Sequence, residues 1–233
     1  MPDSAAPPIH GISSMATRPL LGELCAQYRA ATGQSVVIEA VGGVDAATRV
    51  AAGERFDVVV LASDAIDRLV AAGHLAAGSR VDLVRSPVAV AVRAGAVRPD
   101  VSTPEALRQA LVAARSIGCS TGPSGAHLLK LFERWGLSAA LDAKAVQAPP
   151  GVPVAALVAR GEADIGFQQL SELTGQDGID VLGLLPGDTA CITTFAAGLP
   201  PAVPRRSDVT ALIDFFNSSD AEAVKRRHGM EPC

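Results

Sequence analysis

The nine residues Cys119–His127, CSTGPSGAH, combine three hydroxyl side chains and two glycines between two apolar runs. Glycine lets the backbone approach a ligand closely, and hydroxyls together with free N–H groups at a helix start attract negative charge. The segment is therefore a candidate anion site. An ordinary turn between a strand and a helix, capped by Ser or Thr, explains the same residues equally well.

Similar polar turns follow five of the other strands that the sequence predicts. Because the carboxyl ends of parallel strands meet at one edge of a sheet, these turns are expected to converge where ligands bind. The resulting candidate ligand-binding residues are Ser13, Ser14, Thr17, Arg18, Gly42, Gly43, Ser63, Ser120, Thr121, Gly122, Ser124, Gly125, Gly151, Val152, Gln168 and Gln169.

The elements that carry these turns alternate between apolar runs of strand length and helical patterns, which is typical of an α/β protein with a largely parallel sheet. The first helix begins near Pro19 and ends at Gly33, and Ser63-Asp64 is expected to cap a later helix. The pattern repeats after a long apolar stretch, so two comparable units are expected. We predict a first lobe from residues 1–84, a second from 85–189, and a return to the first in 190–233.

Composition excludes several classes of function. The 233 residues carry a net charge of −4 with dispersed Lys and Arg, and aromatic residues make up 3%, so nucleic acid is not an expected partner. No apolar run approaches the ~18 residues of a membrane span. The four cysteines lack the spacing of a zinc site, and no motif of a nucleotide, dinucleotide or serine-hydrolase site is present, so neither metal nor cofactor is expected.

The N-terminus has no leader pattern, which predicts a cytoplasmic protein, or a periplasmic one if a leader was removed.

Three stretches carry a family resemblance: FDVVVLASDAIDRLVAAGHLAAGSRVDLVRSPVAVAV, GEADIGFQQLSEL and VTALIDFFNSSDAEAVKRRHGMEP. In this order they resemble the molybdate-binding-like branch of the bacterial solute-binding proteins. The resemblance implies a two-lobed type II binding-protein fold with a ligand cleft between the lobes. Each lobe would be a mostly parallel sheet flanked by helices.

The molybdate site of that family is not preserved. The loop Gly42-Gly43-Val44-Asp45 lacks the family's serine and adds a carboxylate, and Gln168-Gln169 stands where the family has tyrosine. Arg18 could pair with a carboxylate in a bidentate fork, and Gln168 or Gln169 could donate to another. We therefore expect a small di- or tricarboxylate rather than a tetrahedral oxyanion. A solvated side chain remains an equally good interpretation of Arg18.

The loops GISSMAT, GGVDAA, STGPSG and GFQQLSEL resemble those of the aconitate isomerases, enzymes built on the binding-protein fold. This resemblance implies cofactor-independent allylic proton transfer between cis- and trans-aconitate. His127 and Asp45 are the candidate bases, although a packed helix residue and a helix cap are the simpler interpretations of each. The alternatives are a substrate-binding component that hands a small anion to an ABC permease and, third, a cytoplasmic ligand sensor.

Overall fold

The computed structural model describes residues 6–233. The first part of the chain contains β1 (Ile9–Ser14), α1 (Arg18–Thr32), β2 (Val36–Val41), α2 (Gly43–Ala51), β3 (Val58–Ala62), α3 (Ser63–Ala71) and the long β4 (Val81–Arg93). The middle contains α4 (Pro104–Ala113), β5 (Ile117–Cys119), α5 (Pro123–Arg134), α6 (Ser138–Asp142), β6 (Ala145–Gln147), α7 (Val154–Ala159), β7 (Ile165–Gln169), α8 (Leu170–Leu173) and β8 (Ile179–Leu184). The chain closes with β9 (Ile192–Gly198), α9 (Arg206–Phe216), α10 (Ser219–Arg227) and β10 (Glu231–Pro232).

The chain divides into two compact units. The first unit comprises the residues up to Arg85 together with Thr194–Cys233, and the second unit comprises Ser86–Thr193. The chain passes from the first unit to the second within β4 and returns within β9. Each unit has its own buried core.

In the first unit, β1 lies between β2 and β3 and is parallel to both. The return strand β9 extends this sheet by pairing antiparallel to β3, and β10 pairs antiparallel to the first half of β4. One face of the sheet packs against α1 and the C-terminal helices, and the other against α2 and α3. The mostly parallel sheet that we predicted is thus a mixed one, since strands that are not joined by crossover helices can pair antiparallel.

The second unit repeats this arrangement around β5, which is parallel to β6 on one side and to β7 on the other. Strand β4 pairs antiparallel to β7 and to β8. Two glycines let α7 lie close to the sheet: a Cβ on Gly118 would stand 2.9 Å from Val154 Cγ1, and one on Gly166 would stand 2.5 Å from Val158 Cγ2.

The order and type of the predicted elements are confirmed. Gly33 ends α1 in the left-handed region at φ 75°, as the sequence predicts. Thr103 begins α4 by accepting a hydrogen bond from the N–H of Ala106 at 3.1 Å. Between residues 6 and 233, no helix is long and apolar enough to cross a membrane. Residues 1–5, which bear on the expectation about a leader, lie outside the described part of the chain.

Candidate functional site

The first unit brings its three predicted turns to one edge of its sheet. Strands β1, β2 and β3 are parallel, with Ser14 opposite Val41 and Ser13 opposite Val60. The turns after these strands therefore share the carboxyl edge, as the sequence predicts. We call this the first edge; it carries Ser13, Ser14, Thr17, Arg18, Gly42, Gly43 and Ser63.

The hydroxyls that follow β1 have different surroundings. Ser14 Oγ accepts a hydrogen bond from the N–H of Ala16 at 3.2 Å, and Thr17 Oγ1 donates to the carbonyl of Ser14 at 3.0 Å. Both groups thus shape the turn. Ser13 Oγ is 0% exposed and has no hydrogen-bond partner within the described chain. An unsatisfied buried hydroxyl costs free energy, so Ser13 is the hydroxyl at this edge that a ligand would best satisfy.

Arg18 lies exposed at the start of α1 and forms no ion pair with any residue of the 6–233 range. Close by in the fold, α2 begins at Gly43 with Gly42 as its cap residue, and no side chain caps it. A guanidinium and uncapped N–H groups at one sheet edge suit a carboxylate ligand.

The predicted capping roles of Ser63, Asp64 and Asp45 are wrong. Helix α3 begins at Ser63 itself, with Ala62 as the cap residue and no side-chain cap, and Asp64 pairs with Arg68 at 2.8 Å. Asp45 is already inside the first turn of α2. Its carboxylate lies close enough to Gly42 that a Cβ there would stand 3.0 Å from Oδ2. The helices start earlier because the parallel strands end directly at their first residues.

The second unit has an equivalent edge, the second edge, where β5, β6 and β7 end. Residues 120–122 of the segment CSTGPSGAH form a tight loop here, between β5 and α5. Ser120 Oγ accepts from the N–H of Gly122 at 3.2 Å and lies 3.0 Å from Ser124 Oγ. Thr121 is exposed at the tip of the loop. The hydroxyls of Ser120 and Ser124 therefore hold the loop against the first turn of α5.

Gly125 makes this arrangement possible. A Cβ on Gly125 would stand only 1.8 Å from the carbonyl oxygen of Ser120, so no other residue fits there without displacing the loop. The next turn of the second edge contains Gly151, which has φ 75° and is exposed, and the partly buried Val152. The N–H of Val152 donates to the carbonyl of Pro149 at 3.0 Å and closes that turn.

Gln168 and Gln169 lie within β7 and not after it, because the ladder with β4 continues to Val88 opposite Gln169. Both side chains are buried. Gln169 Nε2 donates to Thr193 Oγ1 at 2.9 Å, and its Oε1 has no partner inside the described residues. Gln168 Oε1 accepts from the N–H of Ala155 at 3.4 Å, and its Nε2 donates to Glu172 Oε1 at 2.8 Å.

Glu172, on α8, is a functional candidate that sequence reasoning missed. Burial raises the pKa of its carboxyl group to about 7, although the hydrogen bond from Gln168 acts in the opposite direction. The signal in the sequence was the four-residue spacing of Gln168 and Glu172 in GFQQLSEL. That spacing does not reveal burial, which depends on how α8 packs; its Leu173 lies in an apolar cluster with residues of α7, β4 and β8.

His127, the predicted base, has a structural partner. Its Nε2 lies 2.9 Å from the carbonyl oxygen of Thr189. Since a carbonyl can only accept, Nε2 carries the proton in this contact. The ring thus ties α5 to the short 3-10 segment Gly187–Thr189.

Metal ligation finds no support in residues 6–233, where no three His, Cys, Asp or Glu side chains cluster in a way that could hold an ion. All four cysteines are free thiols. Groups that could donate hydrogen bonds to an anion lie at both edges: Ser13, Arg18 and the start of α2 at the first, and the Ser120 loop at the second. To this the second edge adds one carboxyl group that can exchange a proton near neutral pH.

Relatives of known structure share the fold of this chain. The periplasmic molybdate-binding protein of Azotobacter vinelandii superposes with a TM-score of 0.79 at 19% identity, covering 95% of this chain and 98% of that one. PEB3 with bound L-phospholactate superposes with a TM-score of 0.72 at 13% identity, covering 97% and 100%. PEB3 comes from Campylobacter jejuni. At these identities the likeness extends to the α/β periplasmic-binding-protein fold alone.

Sequence comparison finds a nearer relative and a family. An aconitate isomerase of a Pseudomonas species is 38% identical over 237 aligned positions, which cover 98% of this chain and 90% of the relative. The family model of the bacterial extracellular solute-binding proteins matches residues 9–231. The resemblance predicted from the sequence motifs is thereby confirmed. This protein belongs to the family of bacterial extracellular solute-binding proteins.

Proposed function

We propose that the protein is a cofactor-independent isomerase that interconverts cis- and trans-aconitate. The observation that carries this proposal is the 38% identity with an aconitate isomerase over 98% of the chain. We further propose that the two units act as lobes that close on the tricarboxylate and exclude water, as the family fold implies.

The reaction requires stabilisation of negative charge at the carboxylates while a proton moves between two carbons. In this proposal Arg18 and the start of α2 bind one carboxylate, and Ser13 donates its free hydroxyl hydrogen. The Ser120 loop, with the start of α5, binds another. Donors that are already oriented before the reaction stabilise the charge that develops in the transition state.

The test is to incubate the purified protein with trans-aconitate in D₂O and to follow the vinyl and methylene protons by NMR. We expect cis-aconitate to appear. Deuterium in the product would measure how far solvent reaches the transferred proton. Absence of turnover over a day at millimolar substrate would reject the isomerase.

The second candidate function is that of a substrate-binding component of an ABC transporter. Membership of the solute-binding family favours it, and the description of that family as extracellular favours a location outside the cytoplasm. A thermal shift with molybdate or citrate, in the absence of aconitate turnover, would support this function in place of the first.

Replacing Arg18 by alanine is expected to weaken binding of trans-aconitate by more than tenfold. A charged hydrogen bond contributes about 1.5–3 kcal/mol, and Arg18 has no ion-pair partner in the described part of the protein that would keep it from a ligand. Arg29→Ala, at the other end of α1, is the matched control and should leave affinity unchanged. Titration calorimetry measures both, and equal affinities in the two variants would remove Arg18 from the site.

A further inference from the structure

We propose that Glu172 is the acid–base residue of the isomerisation and that Gln168 positions its carboxyl group. This inference rests on the proposed function and deepens it. Glu172 forms no ion pair with any residue between 6 and 233, and its Oε2 has no hydrogen-bond partner there.

The register of β5 and β7 fixes the position of Gln168. Gly166 pairs with Gly118 in the parallel ladder of β7 and β5. Gln168 follows Gly166 by two residues, and Ser120 follows Gly118 by two residues, so Gln168 and Ser120 lie at the same level of the sheet. Gln168 therefore lies at the second edge, level with the start of the Ser120 loop. One hydrogen bond of 2.8 Å then joins the Gln168 amide to the Glu172 carboxylate.

The side-chain amide of Gln168 has a fixed orientation. Its side chain is 3% exposed, and its two ends have complementary partners. Oε1 faces the N–H of Ala155, which can only donate, and Nε2 faces the carboxylate, which accepts when it is ionised. The amide cannot turn over without losing both bonds, so it presents one Glu172 oxygen in a constant direction and leaves Oε2 available.

Two charged side chains lie on the elements that pack against α8. Of the elements packed against α8, β7 and α7 carry no titratable side chain. The part of β4 in the second unit carries Arg93, and β8 carries Asp180, which pairs with Arg98 at 3.6 Å. Neither Arg93 nor Asp180 shifts the pKa of Glu172; burial raises it to about 7 and the Gln168 hydrogen bond lowers it. A carboxyl group with such a pKa can both accept and return a proton at neutral pH.

The two bases that the sequence suggested each have another contact. The Nε2 proton of His127 is engaged by the carbonyl of Thr189. Asp45 is exposed at the start of α2, and its carboxylate lies against the backbone of Gly42. Glu172, by contrast, is half-buried on α8, with Oε1 held by Gln168 and Oε2 without a partner among residues 6–233.

The step itself is balanced without any co-reactant. Ionised Glu172 removes a proton from the methylene carbon of aconitate, and the electron pair of that C–H bond forms a new C=C bond to the central carbon. The electron pair of the old double bond is shared with the adjoining carboxylate until its outer carbon takes the proton back from Glu172. The double bond has then moved by one position, and the residue is ionised again.

Glu172→Gln is the first variant to test, because it keeps the size of the side chain and its bond to Gln168. We expect kcat for trans-aconitate to fall about 10²–10⁴-fold with little change in KM, since a proton-transfer group contributes this much. Glu133→Gln is the matched control: it changes an exposed glutamate on α5 and should keep wild-type kcat. Glu172→Asp should restore part of the activity.

The positioning role of Gln168 can be tested separately through the pH dependence of the rate. The wild-type rate should rise with pH and level off above about 7, following ionisation of Glu172. Because the Gln168 hydrogen bond lowers that pKa, Gln168→Leu should move the inflection to higher pH, which a merely structural role would not do. If the wild type turns over aconitate and Glu172→Gln has the same kcat, the role of Glu172 is overturned and the proposed isomerase function is kept. A wild type without turnover would overturn both.

Discussion

Replacing Gly125 by alanine is expected to lower the free energy of unfolding by about 3 kcal/mol and to abolish detectable binding of aconitate. The added Cβ would stand 1.8 Å from the carbonyl oxygen of Ser120, far inside the van der Waals contact distance. The Ser120 loop must then move away from α5. That movement breaks the 3.0 Å contact between the Ser120 and Ser124 hydroxyls, which shapes the anion-binding loop.

The control for this variant is Gly22→Ala. Gly22 lies exposed inside α1, and no atom stands within 4 Å of the Cβ that alanine would add. Alanine should stabilise that helix by about 0.5–1 kcal/mol, because glycine has the greater backbone entropy to lose. Urea unfolding measures both variants. A Gly125→Ala protein as stable as the wild type would show that the Ser120 carbonyl is not held against α5.

The stability of the protein should fall between pH 5 and pH 8, and Glu172→Gln should remove about 2 kcal/mol of that fall. The ordinary glutamate pKa of 4.5 applies to the unfolded chain, whereas burial raises it to about 7 in the folded protein. The folded state thus keeps a proton that the unfolded state has already released. This contribution to stability is complete below pH 4.5 and is lost as the pH rises through 7.

The magnitude follows from the difference between the two pKa values. The complete shift corresponds to about 3 kcal/mol. Because Glu172 is only half-buried, solvent screening reduces this contribution to about 2 kcal/mol. Urea unfolding of wild type, Glu172→Gln and Glu133→Gln at pH 5, 6, 7 and 8 measures the effect. A constant difference between wild type and Glu172→Gln across this range would contradict the raised pKa. The experiment does not depend on the substrate.

Local sequence signals predicted most of the elements correctly. Gly33 and Thr103 mark helix ends through contacts with residues no more than four positions away, and such contacts form wherever the segment lies in the fold. The starts of α2 and α3 were placed wrongly for the opposite reason. They depend on where β2 and β3 end, and the pairing of strands far apart in the chain decides that point.

By itself, the sequence determined the α/β order of elements, the polar turns after the strands and the family. Periodicity, caps and motif order are local properties, and a single chain displays them directly. Only the tertiary structure decided which groups at those turns are free. The Ser13 hydroxyl has no hydrogen-bond partner among residues 6–233, and Nε2 of His127 contacts a carbonyl 62 residues away. Glu172 is half-buried on α8, which packs against other elements of the second unit. Whether a side chain is buried or hydrogen-bonded depends on contacts between residues far apart in the chain. Those contacts set the pKa of a carboxyl group and the hydrogen bonds that a hydroxyl or imidazole can still form.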